Sequence, residues 1–117
     1  MRPPIIILCA LISAVPLSSL QAHHGWSSYD VQKLLTIDAP LDRLRWANPH
    51  GAARIRHDGK SWDVVLAPVA RMEARGLSEA MLKSAKSVTL VGYPRSDGTR
   101  EMRIERVIVE GRTYELR

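Results

Sequence analysis

The chain has no phenylalanine, and its single cysteine, Cys9, lies in an apolar segment near the start. The rest of the chain therefore cannot form a disulfide, and it offers neither a cysteine nucleophile nor a thiolate metal ligand. The Gly-x-Ser-x-Gly motif of serine hydrolases is also missing from the sequence. These absences favour a binding protein over an enzyme.

Long apolar runs are also missing, because the main one, residues 5–15, is too short to cross a bilayer as a stable helix. It follows a basic start at Arg2 and precedes small residues that end at Ala22, which is the pattern of a secretory signal peptide. We expect cleavage after Ala22, so that a periplasmic or secreted bacterial protein begins at His23. An uncleaved anchor stays the alternative, since Leu20 is bulkier than the residue preferred there. No later segment predicts a membrane span.

Acidic residues are fewer than basic ones, 12 against 17, which gives a formal net charge of +5. Nucleic-acid binding calls for a basic stripe interleaved with exposed aromatic residues. Here the arginines alternate with apolar residues along predicted strands, as they do on a solvated face. We therefore expect no nucleic-acid partner, whereas a partner in the cell envelope stays open.

Alternating apolar and polar residues predict strands in the first half of the chain. The first strand covers residues 34–46 and is interrupted at Ala39-Pro40, because proline cannot donate to a strand ladder. A second strand covers 53–57. Asp58-Gly59 predicts a tight hairpin, and residues 61–67 return with one apolar face.

The second half of the chain begins with a helical segment at 68–83, in which Ser78 is the predicted N-cap of a second short turn and Leu77 packs on Leu82. Residues 88–93 are a fourth strand. Residues 102–109 are a fifth, where the apolar period slips and predicts a bulge at Glu105 or Arg106. A turn at Gly111-Arg112 precedes a short strand at 113–116.

This order of elements predicts a mainly β fold, a small OB-fold-like barrel of five or six strands with a helical segment between strands 3 and 4. A split β-sandwich would give a similar pattern. We expect a signal peptide at 1–22, an N-terminal arm at 23–32 and a single β-barrel-like domain at 33–117.

Several short motifs occur together: HHGW after the predicted cleavage site, WANPHG, LAPVARMEARGL and VTLVGYP. In this combination the chain resembles an uncharacterised bacterial family of exported proteins, a domain of unknown function with a mature Ala-His-His start, a Trp-x-Asn-Pro-His turn and a Gly-Tyr-Pro motif. The resemblance implies export and a small barrel-like domain, and it supplies no activity. Ala39 departs from it by standing where relatives have glycine, and residues 84–86 replace the usual turn.

The histidines at the predicted mature start offer the most distinctive chemistry. The α-amine and the imidazole Nδ1 of His23 can chelate one ion, and a further imidazole completes a T-shaped set of three nitrogens. That arrangement resembles the histidine brace of several exported copper proteins, and such nitrogen ligands favour copper. His50, on the turn after Pro49, is the expected third ligand. His24 is the alternative, and His57 is the least favoured.

Structural roles explain many of the same residues. His50 is expected to donate a hydrogen bond to nearby backbone and Asn48 to cap the turn. Trp26, Trp46 and Trp62 are expected to pack in the core or dock the arm. Surface ion pairs are expected for five carboxylates: Asp58, Asp63, Glu101, Glu105 and Glu110.

The sequence thus favours a small exported binding protein without enzymatic activity, with copper as its most concrete ligand, held by His23, His24 and His50. The alternative is a structural or interaction module that binds a peptide, a glycan or a partner protein in the barrel groove and holds no metal.

Overall fold

A computed structural model of the chain describes residues 25–117. The predicted signal peptide, together with His23 and His24, lies outside the described residues. Within the described part, no helix has the length and apolar character needed to cross a membrane.

The described residues form seven strands and two short helices after a single 3-10 turn. In chain order they are the turn Trp26–Ser28, β1 (Leu35–Ala39), β2 (Asp42–Arg45), β3 (Ala52–His57), β4 (Lys60–Val65), α1 (Val69–Ala74), α2 (Glu79–Ser84), β5 (Val88–Pro94), β6 (Glu101–Val109) and β7 (Arg112–Glu115).

The strands form one mixed sheet in the order β1-β5-β6-β4-β3-β2, with β7 paired to β6. All pairings are antiparallel except that of β4 with β6. The sheet curls into a half-barrel, which confirms the predicted mainly β, barrel-like fold with helices between the third and fourth predicted strands. Strand β6 is the centre of the sheet. One edge of β6 pairs with β5, and its other edge pairs first with β4 and further along with β7.

The predicted first strand is two strands that separate at Pro40. Strand β1 pairs with β5, whereas β2 pairs with β3, so the two halves lie at opposite ends of the sheet order. The register of β2 against β3 shifts between Asp42 and Arg45. Arg43 there has a φ of 49°, and its N–H bonds the Asp42 carboxylate at 2.9 Å. The chain therefore turns a barrel corner where continuous pairing was expected.

The hairpin between β3 and β4 forms as predicted. His57 pairs with Lys60, so Asp58 and Gly59 are the two loop residues. Their φ values of 51° and 71° place both in the left-handed region that a tight hairpin of this length requires.

The predicted bulge in β6 lies at Glu105. Val91 pairs with Arg106 and the next residue, Gly92, pairs with Ile104, so Glu105 has no partner of its own on β5. A bulge of this kind bends the strand and increases its twist. It thereby contributes to the curl of the sheet.

The two helices of the helical segment are capped at the residues that the sequence predicts. Helix α1 ends in a Schellman motif, since Gly76 has a φ of 88° and the N–H of Leu77 bonds the Met72 carbonyl at 2.9 Å. Ser78 caps α2 by accepting a hydrogen bond from the N–H of Met81 at 3.2 Å. Leu77 and Leu82 are both buried in the core, as the predicted contact requires.

The core is aliphatic and contains methionine in place of phenylalanine. Its largest fully buried side chains are Ile55, Leu66, Met72, Leu77, Leu90, Met102, Ile104, Leu116, Val64 and Val107. They come from strands, from the helical segment and from the chain end, so the helices close one open side of the half-barrel. Trp46 and Trp62 pack against this core but are only half-buried.

Gly92, the glycine of the Gly-Tyr-Pro motif, lies where β5 approaches β6 most closely. A Cβ atom there would lie 2.9 Å from the carbonyl carbon of Arg103 and 2.9 Å from the Cα of Ile104, and closer still to the Arg103 carbonyl oxygen. All of these atoms are backbone, which cannot rotate away. The motif therefore requires glycine for space between two strands.

We expect Gly92→Ala to lower the free energy of unfolding by about 2 kcal/mol or more, because the two strands must separate locally. Gly98→Ala is the matched control. Gly98 has a φ of 83° but nothing within 4 Å of its added Cβ, so that variant loses only about 1 kcal/mol. Urea denaturation of both variants measures the difference, and equal losses would contradict the steric explanation.

Candidate functional site

The described part of the arm, residues 25–32, is attached to the end of β5. The N–H of Asp30 bonds the Pro94 carbonyl at 2.8 Å, and the N–H of Ser96 bonds the Ser28 carbonyl at 3.0 Å. Between these bonds, Tyr29 forms an antiparallel bridge with Arg95. The backbone therefore fixes the position from which the preceding residues extend.

Trp26 docks on the outer face of the sheet, as predicted for an arm residue. The guanidinium carbons of Arg103 and Arg117 each lie 4.5 Å from its ring centroid. Tyr93 meets the indole edge to face, with centroids 6.0 Å apart. Arg103 is on the outer face because its neighbours Met102 and Ile104 point into the core. Two cations and an aromatic ring thus hold the indole.

Burial governs the ionisation of the groups under the arm. It lowers the pKa of Arg103, and the nearby positive charges of Arg71 and Arg117 lower this pKa further, although Tyr29 acts in the opposite direction. An arginine remains charged at physiological pH despite such a shift. The cation–π contact with Trp26 is therefore made by a partly desolvated cation, in which setting it is stronger than at the surface.

Tyr29 is the most buried residue of the arm, with 6% of its surface exposed. Its hydroxyl donates to Glu101 Oε2 at 2.7 Å, and Arg95 donates to the same oxygen at 3.1 Å. The Arg95 guanidinium also lies 5.8 Å from the Tyr29 ring centroid. Burial, followed by the hydrogen bond and the negative charge of Glu101, raises the pKa of Tyr29 to about 12.

His50, the predicted third ligand, is held at the start of β3. It follows a cis Asn48-Pro49 bond and is half-buried. Its Nδ1 lies 3.0 Å from the carbonyl oxygen of Gly51, as the predicted backbone hydrogen bond requires. A proton on Nδ1 makes that bond and leaves the lone pair on Nε2 free for a ligand. The predicted cap by Asn48 stays a prediction.

Strand register relates the docking point of Trp26 to the start of β3. Arg103, beneath Trp26, pairs with Val65, and Val65 pairs with Ala52. Neighbouring strands lie about 4.8 Å apart, so Ala52 is about 10 Å from Arg103 across the sheet. His50 is two residues before Ala52. It therefore lies outside this register, by up to about 7 Å along the strand direction.

His57 lies at the opposite end of β3. Its Nε2 is 3.3 Å from the Asp58 carboxylate, and its ring meets Trp62 with centroids 6.2 Å apart. The five residue steps from Ala52 to His57 rise by about 16 Å along a strand. His57 is thus distant from His50 and from Arg103, on which Trp26 docks. Within residues 25–117, no three His, Cys, Asp or Glu side chains are grouped to hold a metal ion.

The predicted surface ion pairs form for three of the five carboxylates. Asp63 pairs with Arg54, Glu101 with Arg95 and Glu105 with Arg117. Asp58 instead contacts the His57 imidazole, which is not a permanently charged group. Glu110 occupies the β6–β7 turn with a φ of 50°. Arg106, the chain neighbour of Glu105, bonds Glu115 at 2.6 Å across the β6–β7 pair. The bulge carries the Glu105 carboxylate to Arg117 and to the Tyr93 hydroxyl.

A second feature, which the sequence did not reveal, is a cleft at the hairpin end of the half-barrel. It has a volume of about 320 Å³ and lies between the arm, the β5–β6 loop and Trp62. We call it the mouth cleft; its principal lining residues are Asp30, Lys33, Leu35, Trp62, Arg95 and Thr99. The sequence feature that could have indicated this cleft is Trp62. It follows the hairpin residue Gly59 by three positions, on a strand face that was expected to be fully buried.

The raised pKa of Tyr29 makes stability depend on alkaline pH. The phenol ionises near 10.0 when it is unfolded and near 12 when it is folded. The unfolded state is therefore favoured progressively as the pH rises from about 10 to about 12, and the full contribution is present below pH 10. We expect the stability advantage of the wild type over Tyr29→Phe to fall by about 2 kcal/mol across this interval. Tyr93→Phe is the control.

Urea denaturation at a series of pH values measures this difference. The pKa of Tyr93 is also raised, mainly by its hydrogen bond to Glu105, but Tyr93 is far less buried, so its variant should show the smaller change. Parallel stability curves for the wild type and Tyr29→Phe above pH 10 would contradict the assignment.

Comparison with known proteins agrees with the resemblance found in the motifs. No curated protein matches the chain. The model of one protein family, described as a family of unknown function (DUF6152), matches residues 10–103 and so covers most of the chain. The chain therefore belongs to this family of unknown function.

Proposed function

We propose that this protein is an exported binding protein that holds Cu(II) through the amine and imidazole of His23, with His50 as the third ligand and His24 as the alternative. The observation that supports the proposal is that Trp26 docks over Arg103, two strands from Ala52, and that His50 precedes Ala52 by two residues. An N-terminal chelate acts as part of a protein site only if the chain start is held near a further ligand. The contacts of Trp26 and Tyr29 restrain the residues that follow the proposed chain start.

The length of the chain between His23 and Trp26 limits how far His23 can lie from the docked indole. His23 precedes Trp26 by three residues, and three extended residues span at most about 10 Å. Ala52 is about 10 Å from Arg103 across the sheet, and His50 is up to about 7 Å further along it, which gives a backbone separation of about 12 Å. The proposal therefore requires the side chains of His23 and His50 to span the remaining gap. A longer N-terminus would lose the terminal amine as a ligand. His57 lies beyond such a gap, at the other end of β3.

The hydrogen bond of His50 suits a ligand. A metal-binding imidazole usually donates its second ring N–H to a carbonyl or carboxylate, which fixes the tautomer and the orientation of the ring. The Gly51 carbonyl, 3.0 Å from Nδ1, fits that role. Nε2 then supplies the neutral nitrogen that copper favours.

The arginines beside Trp26 oppose a cation. At about 10 Å, a doubly charged ion and one arginine repel by about 1 kcal/mol in water and by about 3 kcal/mol at the effective dielectric constant of about 20 that suits a partly desolvated group such as Arg103. Physiological salt further screens the repulsion from the exposed Arg117. Binding of a metal ion by a set of protein ligands contributes on the order of 10 kcal/mol. Electrostatic repulsion from Arg103 and Arg117 therefore does not decide whether a metal binds.

Calorimetry with Cu(II) tests the proposal on exported protein whose first residue has been established by mass spectrometry. An added alanine before His23 and, separately, His50→Ala should each weaken binding at least about tenfold, because each removes one ligand. His57→Ala is the matched control and should bind like the wild type. If His24→Ala weakens binding while His50→Ala does not, His24 is the third ligand.

Two outcomes would overturn the copper site. One is equal affinity in the wild type, the extended chain and the two ligand variants, which would indicate adventitious histidine binding. The other is a mature protein that begins at any residue other than His23, since the terminal amine would then belong to another residue.

A further inference from the structure

The mouth cleft has the size of a small ligand site. Its volume of about 320 Å³ lies at the lower end of the range for small-molecule pockets, which is about 300–1,000 Å³. The space suits one or two sugar-sized rings and excludes a folded partner. It also lies at the opposite end of β3 from His50, so it needs neither His23 nor a metal.

A half-buried aromatic side chain lines the cleft. Trp62 pairs with Ile55 and lies on the same face of β4 as Val64, and both of these neighbours are 1% exposed. Trp62 itself is only half-buried, although the ring of His57 meets it with centroids 6.2 Å apart. Leu35, on the core side of β1, is half-buried and lines the same cleft. The accessible parts of Trp62 and Leu35 thus form an apolar floor for the cleft.

The rim combines fixed donors with fixed acceptors. Arg95 bonds Asp97 at 3.3 Å and Glu101 at 3.1 Å, and these bonds hold its guanidinium in place. Because a guanidinium carries five N–H donors, others remain for a ligand. The Asp30 carboxylate accepts the N–H of Gln32 at 3.0 Å, and its two oxygens can accept further bonds. These side chains are positioned before a ligand arrives, which lowers the entropic cost of binding.

The charges of the rim favour a neutral ligand. Arg95 is paired with two carboxylates, and Lys33 lies 4.0 Å from the Asp30 carboxylate. A phosphate or carboxylate ligand would meet these acidic groups, and recognition of such anions normally uses arginines free to form bidentate pairs. Nucleic acid, similarly, would require an excess of positive charge along the groove.

We propose that the mouth cleft binds a neutral carbohydrate, with one pyranose ring stacked on Trp62 and its hydroxyl groups bonded by Arg95 and Asp30. A pyranose has an apolar C–H face and a border of hydroxyls that both donate and accept. It therefore matches an aromatic floor with a mixed polar rim better than a peptide does, since a peptide needs a sheet edge or a deep side-chain pocket.

NMR titration of the full chain in chelator-treated buffer tests the proposal, with maltotriose and the N-acetylglucosamine trimer as probes. We expect at least one probe to shift the Trp62 indole N–H and the backbone amides of residues 95–99, with a dissociation constant in the millimolar range or tighter. Trp62→Leu should weaken binding about tenfold, and Trp62→Tyr, which keeps an aromatic face, should retain most of it. Trp46→Leu is the matched tryptophan control and should leave binding unchanged.

Asp30→Ala keeps the proposal testable if Trp62→Leu does not fold. Asp30 is on the arm, outside the core, so its variant should fold and weaken saccharide binding several-fold. The proposal is overturned if neither probe shifts these signals at about 20 mM, if Trp62→Leu and Asp30→Ala both bind as the wild type does, or if a tripeptide or inorganic phosphate binds in the cleft and the saccharides do not.

Discussion

The close approach of β5 to β6 at Gly92 is the constraint on which the rest of the structure depends. Backbone atoms of β6 occupy the space where a side chain at position 92 would lie, and Glu105 is the extra residue that bulges opposite. Together they let the central strand twist sharply, so that one edge of β6 pairs first with β4 and then with β7. The next pair along, Tyr93 and Arg103, forms the surface that receives Trp26.

The arm stays docked through several contacts that act together. Ordering one residue costs about 1 kcal/mol or more in backbone entropy. A cation–π contact contributes about 0.5–2 kcal/mol, and a hydrogen bond such as that of Tyr29 contributes about 1 kcal/mol net. No single contact therefore fixes the arm. The indole of Trp26, the buried ring of Tyr29 and the backbone bonds to Pro94 and Ser28 stabilise one another, because each reduces the freedom left to the others.

Local features were predictable from the sequence, and non-local ones were not. The Asp58-Gly59 hairpin, the Ser78 cap and the Glu105 bulge follow from short patterns, because turns, caps and slips of period depend on neighbouring residues. Periodicity fixes which face of a strand is buried but not which strand lies beside it. The separation of β1 from β2 and the parallel pairing of β4 with β6 therefore escaped prediction. The same holds for the arginines around Trp26 and for the half-buried ring of Trp62, which lies where distant segments meet.

The arm links the two proposed sites, because Trp26 near its start docks over Arg103 while Asp30 near its end lines the mouth cleft. Tyr29, between them, is buried and bonded to Glu101, which also holds Arg95 on the cleft rim. The contacts of Trp26 and Tyr29 already order the arm, so little conformational entropy is left for either proposed ligand to remove. Coupling between the two proposed sites through the order of the arm would therefore be weak.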